Sequence, residues 1–353
     1  MLYESYVRDI VLSDEFVDGR SARLEELFVN GFFIGIDIGG THIRIATYDE
    51  AFGYISDIKK VKFKKVGICE LEVSGNICNL ITAAINEKKQ ENKVLKGIGI
   101  SLAALFERTT GNIVKWPNNM TWNGFELKKY LQSRFNVPII MEDDANSAAL
   151  GEKLEGAGKG HDNLAYITIS TGVGCGLILN NTLITGANGW AGEIGHIKVV
   201  EDGPECSCGN TGCLQALVSG PALLKRFKEL RQADCRDAEQ IQLPEVAVLA
   251  RNGDADAIQV FSQAGIHIGR MISNIVMFLD ISAFVIGGGV AEAGNILLEP
   301  IRETVAHQLK YFNRNVKIEK STLADINGVI GALGLIYRHV NNKEPVMMLR
   351  LRC

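Results

Sequence analysis

Apolar runs cut short by glycine set the rhythm of this chain. Residues 31–40, GFFIGIDIGG, form such a run stopped by two glycines, and predict a central strand entering a tight turn. THIRIATY at 41–48 alternates polar with apolar and predicts the return strand of a hairpin. Beyond it, helices are predicted over 72–92, 125–135 and 145–154, a buried strand over 94–102 and a short strand over 138–142. The opening theme returns at 164–170, where an apolar strand meets the glycine-rich turn STGVGCG (170–176) and a return strand at 177–180. Two strand–turn–strand units about 130 residues apart predict two related halves facing one cleft. The most apolar window, 271–290, contains Asn274 and Asp280 and ends in three glycines. A buried helix followed by a buried strand at 283–286 fits that window, whereas a spanning helix of about 20 apolar residues does not. Strands alternating with helices predict the α/β class.

Composition narrows the class. The chain has 353 residues, 46% of them apolar and 22% charged, which suits a globular protein of two domains rather than a disordered or fibrous one. Lys plus Arg number 37 against 41 Asp plus Glu, a net charge of −4, so no basic excess points to a nucleic-acid partner. Residues 1–30 are polar, with one short helix predicted over 21–29, and read as an N-terminal extension of unassigned role. Their acidic side chains stand where a secretory leader needs an apolar stretch, so a cytoplasmic protein without membrane attachment is expected. Three of the eight cysteines fall within eight residues. In a reducing compartment such clustering points to metal rather than to disulfides.

Three constellations carry candidate chemistry. Gly39, Gly40 and Thr41, and again Thr171, Gly172, Val173 and Gly174, follow buried strands. Backbone N–H groups of such turns can converge on phosphate oxygens; plain hairpin turns use the same residues. Neither is a Walker A loop, since no Gly-Lys-Ser/Thr follows. The run Glu142-Asp143-Asp144 stands at a strand-to-helix junction. A carboxylate there points into the cleft of an α/β sheet and can take a proton from a hydroxyl, or it can simply cap the helix. Finally, His196, Cys206, Cys208 and Cys213 lie within eighteen residues, bent by glycines. Three thiolates and one imidazole match a tetrahedral structural zinc site.

Taken in order, DIGGTHIR (37–44), EDDANSAALGE (142–152), STGVGCG (170–176), AGEIGH (191–196), CSCGNTGCLQ (206–215) and VIGGGV (285–290) resemble the motif set of the ROK family of bacterial sugar kinases and repressors, over residues 31 to about 338. AGEIGH followed by CxCGxxGC is the specific part. The resemblance implies an actin-like, hexokinase-like ATPase fold, with two α/β lobes around a central cleft. It places 31–150 plus a C-terminal helix near 330–340 in the small lobe. The large lobe takes 151–329, with the zinc loop at 196–213. It implies Asp144 as the catalytic base, the two glycine turns as phosphate loops, Gly287, Gly288 and Gly289 as the adenosine-side turn, and Asp37 near Mg²⁺. Asp143, Asp144, Glu193, His196 and Gln215 match sugar-binding positions, and the set of one histidine and three cysteines matches the zinc ligands. Mg-ATP and structural zinc are the implied cofactors, a hexose and ATP the implied partners, and a homodimer the implied assembly.

Three departures from the family pattern surround the sugar position. Asp143 replaces the usual Asn, so that either its carboxylate accepts from a hydroxyl or Asp143 and Asp144 share a proton. Gln215 replaces the usual Glu. SLAAL at 101–105 replaces the usual Gly-x-Pro-Gly loop. The resemblance implies an ATP-dependent kinase acting on a hexose of the glucose, allose or N-acetylhexosamine class, at the 6-hydroxyl. THIR, the pocket loop and DING at 325–328 lean towards the allose-kinase branch. The alternatives are a sugar-sensing regulator or a degenerate sugar-binding protein.

Overall fold

A computed structural model describes residues 30–51, 53–62, 70–116, 120–231, 241–343 and 348–349; the N-terminal extension and its helix expected at 21–29 lie outside the described residues. The apolar run becomes β1 (Gly31–Ile38), every residue of which is buried. The turn at Gly39–Thr41 returns the chain along it as antiparallel β2 (His42–Asp49), and β3 (Tyr54–Ile55) and β4 (Lys59–Lys62) both pair with β2. After α1 (Glu70–Lys89), β5 (Val94–Leu102) adds parallel to the other side of β1. A small hairpin, β6 (Leu105–Phe106) and β7 (Ile113–Lys115), and α2 (Leu127–Gln132) lead to β8 (Ile139–Asp143), parallel to β5. Strands covered on both faces read as near-continuous apolar sequence, which is why 31–38 shows no alternation. Ile34, Ile36, Ile98 and Ile100 meet Ile77 and Ile81 of α1 in the first core.

The second sheet repeats this plan. A hairpin of β9 (Leu164–Ile169) and β10 (Val173–Leu179) is extended by β11 (Thr182–Ile184) on the β10 edge. On the β9 edge, β12 (Ala283–Gly287) and β13 (Lys317–Lys320) add in parallel. Between β11 and β12 come α4 (Leu214–Val218), α5 (Gly220–Leu230), α6 (Leu243–Arg251) and α7 (Ala255–Leu279). α8 (Asn295–Leu309) joins β12 to β13 and packs on α7. The apolar window 271–290 is accordingly the end of α7 followed by β12, as its pattern predicts. Among the described residues no helix is long and apolar enough to cross a membrane.

One element differs instructively. The return strand expected from 177 begins at Val173, so Gly174 lies inside β10 and not in the turn. The glycines of this strand serve packing: a Cβ on Gly176 would lie 2.5 Å from the Ala145 carbonyl oxygen, and one on Gly174 3.1 Å from the Ala145 Cβ. The helix that presses so closely is α3 (Asp144–Glu155). It starts at the end of β8 in the first sheet but packs on β9 and β10 of the second. The last helix, α9 (Asn327–Asn341), does the reverse, following β13 and packing on β1 and β5. The two exchanged helices cross with their backbones in contact. A Cβ on Gly331 would stand 1.7 Å from the Ser147 carbonyl oxygen, and one on Gly151 2.1 Å from that of Asn327. Only glycine permits this approach at either position.

Candidate active site

Between the sheets lies a cleft of about 400 Å³. Asp37, Gly39, Arg44 and Asp144 line it from the first half, and Thr168, Ser170, Gly287, Gly288, Gly289 and Lys320 from the second. Its first wall follows from strand register. Lys60 of β4 stands opposite Arg44 of β2, Arg44 opposite Asp37 of β1, Asp37 opposite Ser101 of β5, and Ser101 opposite Glu142 of β8. Directly opposed residues share a sheet face, so five polar side chains form one row across the first sheet. Asp37 accepts from Ser101 Oγ at 2.8 Å and from Arg44 Nη1 at 3.1 Å. Burial nevertheless raises its pKa, against the pull of those two donors.

Asp144 is the first residue of α3, delivered to the cleft by the end of β8. Its side chain opens to cleft water while protein surrounds it on the other sides. That enclosure, followed by the charge of Asp37, pushes its pKa up to about 6. A carboxyl tuned so close to neutrality suits a general base.

Asp143 does something else. It is the N-cap of α3, with Oδ1 accepting the Asn146 backbone N–H at 2.8 Å. Its other oxygen faces Asn146 Nδ2 and lies 3.6 Å from Arg108 Nη2. Arg108, from the β6–β7 hairpin, grips buried Glu142 through both terminal nitrogens. Burial, then the neighbouring Glu142, raises the Asp143 pKa well above the usual carboxylate range, while Glu142 is held low by Arg108 in spite of its burial. Glu142 thus presses on Asp143 harder than Asp144 does, where the sequence had offered a proton shared with Asp144 as one of two alternatives. Both Asp143 oxygens accept from Asn146, Oδ1 from its backbone N–H and Oδ2 from its side-chain amide.

Gln215, matched to a sugar position, is engaged by the chain itself. Its Oε1 accepts the Val173 N–H at 3.1 Å and its Nε2 donates to Ser207 Oγ at 3.2 Å, tying the second glycine turn to the cysteine loop. Thr171 and Gly172 form that turn, where the Ser170 N–H bonds the Gly172 carbonyl at 2.9 Å. Gly288, with φ +83°, bends the chain after β12; a Cβ there would lie 2.3 Å from the Ile169 carbonyl.

His196, Cys206, Cys208 and Cys213 do converge, their ligand atoms all within 4.8 Å of one another. Cys206 Sγ lies 3.5 Å from His196 Nδ1 and Cys208 Sγ 3.7 Å from Cys213 Sγ. Zinc–sulfur bonds of about 2.3 Å in a tetrahedron put sulfurs about 3.8 Å apart, so the donor set fits the ion. The other imidazole nitrogen, Nε2, lies 3.8 Å from Glu193 Oε2. One short 3-10 turn, Ile194–His196, thus joins the cysteine cluster to the glutamate expected to hold sugar.

Sequence reading did not pick out Ser101, Arg44 or Arg108 as site residues. Ser101 carried a usable signal, shared with Asp37 and Glu142: each is a polar residue near the C-terminal end of a mostly apolar strand, where α/β sheets place their ligands.

Comparison with known proteins agrees with this geometry. The profile of the ROK family matches residues 33–339. A glucokinase of Halalkalibacterium halodurans is 34% identical over 323 residues, covering 89% of this chain and 97% of the relative. A xylose repressor of Bacillus subtilis is 29% identical, covering 88% of this chain and 78% of the repressor. The crystal structure of a ROK family glucokinase from Streptomyces griseus, in complex with glucose and AMPPNP, superposes with a TM-score of 0.71 at 32% identity, covering 86% of this chain and 99% of that one. The chain is a member of the ROK family, built on the two-lobed actin-like, hexokinase-like ATPase fold.

Proposed function

We propose that the chain is an ATP-dependent hexose kinase that phosphorylates the 6-hydroxyl of its sugar. The observation that carries this reading is Asp144, a carboxyl facing the cleft with its pKa near 6, within the charge field of Asp37. The relatives named glucokinase support the same class. The match to repressors supports sugar binding as much as catalysis. A regulator that only senses sugar has no use for a tuned base, which favours the kinase.

On this reading residues 31–150, with the helix at 330–340, form the smaller lobe, and 151–329 the larger. Bound Mg-ATP supplies the phosphoryl group and neutralises its charge. Asp37 would hold the metal; the turns at Gly39–Thr41 and Thr171–Gly172 would offer N–H groups to phosphate oxygens, and Gly287–Gly289 would leave room for the nucleoside. Asp144 would accept the proton of the sugar hydroxyl as the hydroxyl oxygen attacks the terminal phosphorus of ATP, the bond from that phosphorus to the bridging oxygen breaks and ADP leaves with that electron pair. Glu193 and the His196 Nε2 edge would hold sugar hydroxyls, and His196, Cys206, Cys208 and Cys213 would hold a structural zinc that keeps that edge in place. Lobe closure excludes water, so that transfer to sugar outruns hydrolysis. Phosphoryl transfer from Mg-ATP, measured across glucose, allose, mannose and N-acetylhexosamines, tests the proposal. Activity on none of them, with sugar binding intact, would leave the regulator.

A further inference from the structure

One wall of the cleft is held from behind by a buried carboxyl. Glu152 stands in the last turn of α3 with no exposed surface. Its Oε2 accepts the Ala157 N–H at 2.9 Å, and its Oε1 accepts the Leu323 N–H at 3.3 Å and the hydroxyl of Ser321. Glycine lets the chain close over it: a Cβ on Gly156 would lie 2.0 Å from Oε2. A buried carboxyl is stable only while its oxygens are bonded. Two of its three donors come from residues 321–323, so the acid and that segment fix each other. The Ser321 hydroxyl, donating to Glu152, accepts in turn from the Ala324 N–H at 3.2 Å. Ala324 opens the 3-10 turn Ala324–Ile326 with φ +49°, a left-handed conformation that alanine seldom adopts and that persists only where its surroundings hold it. The backbone of Ser321 is tied to the end of β12, its N–H donating to the Ile286 carbonyl at 2.8 Å. Ser321 and Ala324 line the cleft beside Gly287, Gly288 and Gly289.

We propose that Glu152 is the positioning residue of the nucleoside wall, holding residues 321–324 against the turn at 287–289 so that the adenosine end of the donor meets a preformed surface. The inference rests on the kinase reading and adds to it a residue that touches neither substrate. Asp144 opens α3, and Glu152 lies eight residues on, two turns or about 12 Å along the same helix. One rigid element therefore carries the base at its start and pins the nucleoside wall near its end. The distance between the attacking hydroxyl and the donor is set by a helix rather than by a loop. The chain of bonds runs from Glu152 through the Ser321 hydroxyl to the Ala324 N–H, and each link has a donor and an acceptor. Without the acceptor at its head, Leu323 loses its partner and Ser321 its orientation. Ala324 then relaxes to an ordinary negative φ, and the wall is no longer preformed. A ligand that must first rebuild its surface binds less tightly by the fraction of chains that hold it.

The test is calorimetric titration of the full chain with adenosine, with Mg-ATP, with inorganic tripolyphosphate and with glucose. Glu152→Met keeps the length of the side chain and removes both acceptors. It weakens adenosine and Mg-ATP by about tenfold and leaves tripolyphosphate and sugar within about twofold of wild type. Glu152→Gln, which keeps one acceptor of the two, loses less. Ala324→Gly then repairs the loss when added to either variant, because glycine takes a positive φ without penalty. Should Glu152→Met fail to fold, Ser321→Ala breaks the same chain of bonds and carries the same expectation at about three- to fivefold. The repair separates positioning from a lost contact: if Ser321 served only by touching the nucleoside, Ala324→Gly would restore nothing. Adenosine binding at the wild-type level in these variants overturns the proposal. So does a loss spread equally over adenosine, tripolyphosphate and sugar, or one that Ala324→Gly leaves in place, since either marks a merely structural acid. A wild-type chain that binds tripolyphosphate but no adenosine overturns it as well. Adenosine binding needs no phosphoryl transfer. A chain that phosphorylates no hexose but shows these shifts refutes the kinase reading alone; a working kinase without them refutes the positioning role alone.

Discussion

Replacing Asp144 by asparagine is expected to make the protein slower and more stable at once. The cleft holds this carboxyl near pKa 6 against an ordinary value of 3.8. That difference corresponds to about 3 kcal/mol of preference for the neutral form. The side chain opens to cleft water, so screening reduces the net figure to about 1 kcal/mol. The sign follows from which form is disfavoured. With its folded pKa raised, Asp144 lends stability that is complete below about pH 4 and is lost as pH rises through about 6. The asparagine variant never carries the charge. At pH 8 Asp144→Asn should therefore melt about 2 °C above wild type. The gap should close between pH 6 and pH 4 and vanish below that. Turnover should fall by about 10²–10⁴-fold with sugar affinity kept, because a positioned base is lost and the shape is not. Thermal melts of both proteins from pH 4 to 8, beside initial rates at pH 8, read both effects. A variant that is slow but no more stable at pH 8 would show that Asp144 is not under electrostatic pressure, and near wild-type turnover would remove it as the base. The wild-type rate should itself fall on acidification with an apparent pKa near 6, as the base takes up its proton.

Asp143→Asn should keep turnover within about threefold and cost less stability than Asp143→Ala, since Asn keeps the cap bond from the Asn146 backbone N–H but sets its amide NH2 against Asn146 Nδ2; Asp143→Ala should lose about 1 kcal/mol in denaturant titrations. A marked drop in kcat for Asp143→Asn would show that its carboxylate meets the sugar after all. Cys208→Ala should take bound zinc from about one per chain to near zero by metal analysis, raising the sugar KM while the ATP KM stays close to wild type. If the melting temperature falls and both KM values hold, the metal braces a remote loop only. Gly331→Ala puts a methyl group into the Ser147 carbonyl, 1.7 Å away, and should destabilise by about 2–4 kcal/mol in urea. Gly75→Ala, on α1 with open space around it, should be neutral or slightly stabilising, and equal behaviour of the two glycine variants would refute the crossing-helix argument.

Much of the fold was legible because buried strands and amphipathic helices write their periods into sequence. β5 spans the residues predicted for it, α3 runs one residue further at each end, and β12 one residue further at its C-terminal end. The duplication was visible from two hairpins with glycine turns. Helix exchange was not, since nothing in a helix's own period says which sheet it will cover; only paired glycines at 151 and 331 hint at a crossing, and they read equally as weak helix positions. At the site, the cysteine–histidine cluster was legible because its spacing is local. Asp144 was legible from its junction. What stayed hidden were partnerships across strands: Arg44 with Asp325 is a contact over 281 residues, Arg108 with Glu142 one over 34. The departure at Asp143 was visible as a residue but not as a role, because its pairing with Glu142 depends on Arg108 arriving from another hairpin.

The exchange of α3 and α9 also sets a timetable for synthesis. β1, β5 and β8 are complete by residue 143, yet the helix that covers β1 and β5 begins at residue 327. At about 5–20 residues per second, the ribosome needs on the order of 10–40 s to supply it. Throughout that interval the opposite face of the nascent first sheet, carrying Phe33, Ala46, Tyr48 and Ile55, has no permanent cover. Phe33, Ile336 and Leu333, buried together at the end, are strangers until the last turns of the chain emerge. The N-terminal half is thus a client for chaperones by construction, and a chain that stops short of residue 327 would leave an aggregation-prone sheet rather than a functional lobe.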